Sequence, residues 1–174
     1  ADSYPPVAFP GAEVLERVES LALRWRYRLR DRSERLRRVH GDFHPWNILF
    51  REGTDLTALD RSRGRFGDPA DDVAALAINY LFFSLRENGR FGGAFGELFH
   101  VFWSRYESAS GDRALAEVIP PHFAFRALVL ANPLWYPAEA EATRRALFRF
   151  IIGVLESERF DAAALDDLLK HGEP

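Results

Sequence analysis

The stretch His40-Gly41-Asp42-Phe43-His44-Pro45-Trp46-Asn47, with Asp60 thirteen residues beyond it, constrains this chain more than any other feature. Two apolar, β-compatible runs follow, Asn47-Ile48-Leu49-Phe50-Arg51 and Leu56-Thr57-Ala58-Leu59-Asp60, separated by Glu52-Gly53-Thr54-Asp55. That is a hairpin pattern, with Gly53 as the permissive turn residue. A turn centred between Gly53 and Thr54 sets Asn47 and Asp60 opposite each other. Directly opposed residues of an antiparallel pair have Cβ atoms about 5 Å apart. Two side-chain oxygens so placed can share one Mg²⁺, which binds oxygen at about 2.1 Å and takes few protein ligands beside phosphates and water. Register matters here, because a slip of one residue separates the pair. Asp42, just before the first strand, is set to face the same space.

Asp42 and Asn47 also stand at the D-x-x-x-x-N spacing of a phosphoryl-transfer loop. In such loops the Asp accepts the proton of the attacking hydroxyl and the Asn holds a magnesium ion. Beyond Asp60, Gly67-Asp68-Pro69-Ala70-Asp71-Asp72-Val73-Ala74 reads as a turn leading into a helix. Pro69 suits the first helical position and the early acids suit the positive helix end. On its own, Asp68 is a helix cap.

Taken together, these residues resemble the aminoglycoside phosphotransferase and choline kinase-like family, relatives of the protein kinases. The family's loop reads H-G-D-x-x-x-x-N, matched by His40, Gly41, Asp42 and Asn47. Its metal-binding segment is matched by Leu59-Asp60, Gly67-Asp68-Pro69 and Asp72-Val73-Ala74. The resemblance implies that Asp42 is the catalytic base, that His40 braces the loop, and that Asn47 and Asp60 bind Mg²⁺ between the phosphates of ATP. Asp68 and Asp72 become structural acids that tie the metal segment to neighbouring backbone. The motifs cover residues 39–76. The expected fold is mainly α with a small β-hairpin, the C-terminal lobe of a protein-kinase-like protein, in one domain over 1–174.

Such kinases carry an N-terminal lobe with a glycine-rich loop and a strand Lys. Here the residues before His40 hold no glycine-rich loop, and the single Lys of the chain is Lys170. The expectation is therefore a C-terminal lobe without its ATP-covering half, with that missing lobe as a partner. The alternative is a truncated or non-catalytic kinase-like domain with a binding or regulatory role.

Composition narrows the classes further. The chain has 174 residues, no Cys and a formal net charge of −3. The length supports a buried core. The absence of Cys excludes disulfides, thiol catalysis and zinc–thiolate sites, and accords with a cytoplasmic protein. The charge argues against nucleic acid as a partner. No run of about eighteen apolar residues suggests a membrane span. His44 lies inside the loop, but Mg²⁺ prefers oxygen, and no second His stands where zinc would need it. His100 and His122 read as fillers of aromatic helical stretches.

All but one of the 23 basic residues are Arg, and eight of them crowd residues 24–38. Val14, Leu15, Val18, Leu21, Leu23, Trp25, Leu29 and Leu36 supply an interrupted apolar stripe, which predicts one long amphipathic helix over 11–38 with a solvated basic face. The loop and hairpin take 39–69. Further helices are expected at 70–87, 93–107, 113–118, 122–131, 138–157 and 161–170. In the resembling family the acceptor is a small hydroxylated molecule, often cationic, held by acidic and aromatic side chains. Trp135, Tyr136 and Glu139, in and after the loop Asn132–Pro137, are the candidates taken forward, with Trp103, Tyr106 and Glu141 behind them.

Overall fold

The computed structural model describes residues 4–5, 9–61 and 66–170. Helix α1 runs over Ala12–Leu29 and buries Val18, Leu21 and Trp25. The indole Nε1 of Trp25 donates to the Leu155 carbonyl at 2.8 Å, and the Arg28 guanidinium covers the ring at 4.5 Å. This helix is shorter than the 11–38 expected. Its apolar stripe ends at Leu29, and Leu36 is half-exposed, so a longer helix would bury nothing more. The chain turns instead, and a single 3₁₀ turn at Ser33–Arg35 follows.

That turn also corrects the reading of the arginines. Arg35 does not lie on a solvated face. Its guanidinium donates to both oxygens of Asp68, at 2.6 and 2.8 Å, and to both of Asp112, at 2.8 and 2.7 Å. The following segment pairs with the residues before the next helix through Arg37 and Gly67, whose amides and carbonyls exchange bonds of 2.9 and 3.0 Å.

Strands β1 (Ile48–Phe50) and β2 (Leu56–Ala58) form the antiparallel hairpin. Its register is not the one expected. Ile48 pairs with Ala58 and Phe50 with Leu56, so Leu59 stands across from Asn47 and donates to its carbonyl at 2.8 Å. Asp60 lies one residue further on. The turn holds five residues rather than four: Arg51 donates to the Asp55 carbonyl, Asp55 donates to that of Glu52, and Gly53 takes the left-handed conformation at φ 56°.

Helix α2 (Pro69–Asn88) is the hub. Asp68 caps it by accepting from the Ala70 amide at 2.9 Å, Pro69 opens it, and Gly89 closes it at φ 66°. It is buried on nearly all sides, the pattern of a central helix. Around it pack α3 (Gly93–Ser110), α5 (Pro120–Ala131) and α6 (Glu141–Glu156), and α1 lies against α6. The short α4 (Leu115–Val118) stops before Pro120, and α7 (Leu165–Lys170) packs on α6. Trp103, Phe123 and Phe160 meet at ring separations of 4.8 to 6.2 Å in the core. Buried Arg144 of α6 donates to the carbonyls of Ala131 and Tyr136, which holds the end of α5 and the loop after it. No helix among the described residues is long and apolar enough to cross a membrane.

Candidate active site

The loop between the Arg37–Gly67 pairing and β1 is held by its own backbone and by α2. Gly41 has φ 88°, a conformation that a side chain would strain. The Asp72 carboxylate, in the first turn of α2, accepts from the amides of His40 and Gly41 at 2.6 and 2.8 Å. The Asp42 carbonyl accepts from the His44 amide at 2.9 Å and from Asn47 Nδ2 at 3.0 Å. Two successive donors on one carboxylate and two more on one carbonyl leave the loop little freedom.

This winding presents the Asp42 side chain, 6% exposed, to the wall of a cleft of about 390 Å³ between the loop and helices α2 and α5. Arg126 of α5 reaches the same wall. Its Nη1 donates to Asp42 Oδ1 at 2.8 Å and its Nη2 to the Gly41 carbonyl at 3.2 Å. The other edge of the guanidinium grips Asp71 in a two-bond fork, Nε to Oδ1 at 3.0 Å and Nη2 to Oδ2 at 2.8 Å. Forked pairing fixes direction as well as charge. His44 Nε2 stands 3.7 Å from Asp42 Oδ2.

The charges explain one another. Burial alone would raise the Asp71 carboxyl. His122, whose Nδ1 at 3.9 Å is too distant for a good hydrogen bond, and the hydrogen bonds and charge of Arg126 outweigh that, so Asp71 lies below its ordinary value. Burial would likewise lower Arg126, but Asp71 and Asp42 together raise it. The guanidinium therefore stays charged and fixed.

The remaining expected residues divide. Tyr136 lines the cleft, and burial raises its phenol. Trp135 does not line it; it is mostly exposed and borders a neighbouring groove with Tyr4, Leu15 and Val18. Glu139 faces elsewhere, its nearly buried carboxylate 3.2 Å from Arg86 Nε. Trp103 belongs to the core, and Glu141 pairs with Arg145 one helical turn on. His40 meets the loop and α2 through both its backbone and its ring. Its backbone amide is held by Asp72, while both ring nitrogens are buried without hydrogen-bond partners and the ring meets Phe43 edge-on at 5.6 Å.

Asn47 and Asp60 supply oxygen donors of the kind Mg²⁺ prefers. Asn47 commits its amide nitrogen to the Asp42 carbonyl, which leaves Oδ1 as its atom for a cation. Asp60 is exposed and adopts φ 52°, so the chain bends sharply where the hairpin ends. The donor set fits the ion, although the two residues are not paired across the hairpin. Among the described residues no group of three or more His, Cys, Asp or Glu gathers to hold a metal.

Arg126, Asp71 and Asn79 are absent from the sequence-based site. A signal for two of them existed. Arg126 is the lone charge in Phe123-Ala124-Phe125-Arg126-Ala127-Leu128-Val129-Leu130, and Asn79 the lone amide in an equally apolar run. A charge in such a setting is paired when buried.

A helical lobe that carries a wound Asp42–Asn47 loop and a short hairpin is a kinase-like arrangement. The model of the phosphotransferase enzyme family matches residues 4–111, and the chain belongs to that family. No curated protein and no solved structure gave a match.

Proposed function

We propose that this chain transfers the terminal phosphoryl group of ATP, with Mg²⁺, to a hydroxyl of a small molecule bound in the Asp42 cleft. The observation that carries the reading is Asp42 itself. It is a nearly buried carboxylate on a cleft wall, fixed by Arg126 through one oxygen and by a loop whose every turn is tied down. A carboxylate so placed orients an acceptor hydroxyl and takes its proton as the oxygen bonds to phosphorus and the bond to the ADP oxygen breaks. Asn47 and Asp60 would hold the magnesium ion, whose chemistry is neutralisation of the phosphate charge. Arg126 keeps Asp42 in place, and Asp71 keeps Arg126 in place.

The hairpin edge supports a covering segment over the nucleotide. Leu49, Phe50 and Leu56 of the hairpin are exposed, as is Leu59, which precedes Asp60. Such an apolar surface next to charged metal residues suits a second lobe that shields the phosphates.

Calorimetric titration with ATP and Mg²⁺ tests the reading. Binding that requires the metal and disappears in Asp60→Ala is the expected result. Metal-independent binding, or binding that Asp60→Ala retains, overturns the assignment of Asp60. No binding at all favours the non-catalytic alternative or an essential second lobe, which adding that lobe would separate.

A further inference from the structure

The Asp42 cleft and the groove beside it, a cavity of about 290 Å³, meet on α5, where Phe125 and Val129 line both. These two residues stand one helical turn apart and are 58% and 37% exposed, so their side chains form an apolar ridge between the cavities. The loop after α5 serves both sides in the same way. Tyr136 lines the cleft and its neighbour Trp135 the groove. Their amides donate to one carbonyl, that of Asn132, at 2.9 and 3.2 Å, which fixes the backbone that carries the two rings.

The groove is mostly apolar. Leu15 and Val18 of α1, Leu128 of α5 and the ring of Tyr4 line it, with Glu19 and Asn132 as its polar part. The Tyr4 hydroxyl is anchored on the Ala131 carbonyl at 2.8 Å. Trp135 is 67% exposed, and Trp46, in the cleft, is 59% exposed with its ring 5.7 Å from that of Phe83. Large apolar side chains exposed together around adjoining cavities mark a surface that a ligand covers. Two of the four stand on the ridge itself, which joins this surface to the wall that holds Asp42.

We infer that the acceptor is an elongated alcohol: its reacting hydroxyl lies at Asp42, and its apolar body crosses the Phe125–Val129 ridge and ends in the groove against Trp135. The inference rests on the phosphotransferase reading for the role of Asp42. The joining of the two cavities stands apart from it. Contacts remote from the reacting centre hold a substrate in register for the chemistry, so Phe125, Val129 and Trp135 select the acceptor by its length and apolarity.

Two probes test this on the whole chain: 2-phenylethanol and 6-phenyl-1-hexanol, which share both end groups and differ by four methylenes. Each is titrated at pH 7.5 while the indole N–H signals of Trp46 and Trp135 are followed by NMR. The short probe should shift the Trp46 signal alone. The long probe should shift both signals with one common midpoint, at a concentration at least about tenfold lower, because its added methylenes are buried on the ridge and in the groove. Trp135→Ala removes a mostly exposed side chain and leaves no cavity in the core. It should raise the long probe's midpoint, read at Trp46, about three- to tenfold and leave that of the short probe in place. A long probe that shifts Trp46 without Trp135, or neither signal, overturns the inference, the groove then being covered by another part of the protein or closed to the ligand. So does a Trp46 midpoint that Trp135→Ala leaves unchanged, which would mean separate molecules in the two cavities. ADP release from ATP with Mg²⁺ is measured separately. If it is absent while Trp135→Ala still weakens the long probe at Trp46, the phosphotransferase reading fails and the spanning ligand stands.

Discussion

Arg35 and Arg126 solve the same problem for different ends. Each has a side chain about nine-tenths hidden, and each holds two carboxylates, one from the start of α2. Arg35 divides its bonds evenly, two to Asp68 and two to Asp112. Arg126 divides them unevenly, two to Asp71 but one to Asp42. The even clamp lies away from the Asp42 cleft and fastens a turn, a cap and a loop. The uneven clamp lines the cleft. Its firm grip is on Asp71, behind the wall, and its lighter grip is on the carboxylate assigned to the reaction. The difference shows how one residue type can hold two carboxylates evenly or grip one of them more firmly than the other.

The comparison is broken most directly at Asp42. Asp42→Ala should lower turnover of ATP with Mg²⁺, read as ADP release, by roughly 10²- to 10⁴-fold, the usual contribution of a general base. Retained turnover would remove Asp42 from the chemistry and make the two clamps equivalent. Next comes Arg126→Leu, which leaves two carboxylates without their cation. A loss of about 3–5 kcal/mol is expected in urea unfolding, together with loss of turnover at temperatures where the variant is folded. Arg35→Leu should cost less, because Asp68 and Asp112 are partly solvated and Asp68 keeps its capping bond. Turnover of the folded Arg35→Leu variant should stay within about twofold of the parent. A large loss there would mean that the even clamp also shapes the site.

Acid should loosen both clamps. The hydrogen bond from Arg35, over a smaller burial penalty, holds Asp112 below its ordinary value, and Asp71 is depressed as described. Depressed carboxyls contribute stability that is fully present above the unfolded value, about pH 3.9. That contribution is lost as pH falls through the lower, folded values. The urea midpoint should therefore be insensitive to these two groups between pH 7 and 5 and fall below about pH 4. Asp112→Asn should make that acid slope shallower. The smallest effect on stability is expected of Asp60→Asn. Asn tolerates a left-handed backbone, so stability should stay within about 0.5 kcal/mol while metal-dependent nucleotide binding is lost.

What could be read beforehand was mostly local. Helix α2 announced itself through Asp68, Pro69 and the early acids, and the structure places them in those positions. The existence of the hairpin was equally plain, but its register was not. Neither face of β1 or β2 is deeply buried, so no apolar alternation chose between a four-residue and a five-residue turn. The end of α1 was hidden for a related reason. Arg30-Asp31-Arg32-Ser33 contains no Gly or Pro, and what draws Arg35 away lies 33 and 77 residues further along the chain. Arg126 and Asn79 are long-range choices of the same sort. Their polarity inside apolar runs marked them as partnered, but only the packing of α2, α5 and the loop says with what.

Arg35 joins three stretches that are remote in the chain: the turn after α1, the cap of α2 and the bend before α4. A side chain with that many commitments cannot let go of one without loosening the others, so these stretches open together or not at all. Their backbone amides should exchange with deuterated water at one shared free energy of opening, and the boundary of that cooperative unit marks how far the grip of a single guanidinium extends through the fold.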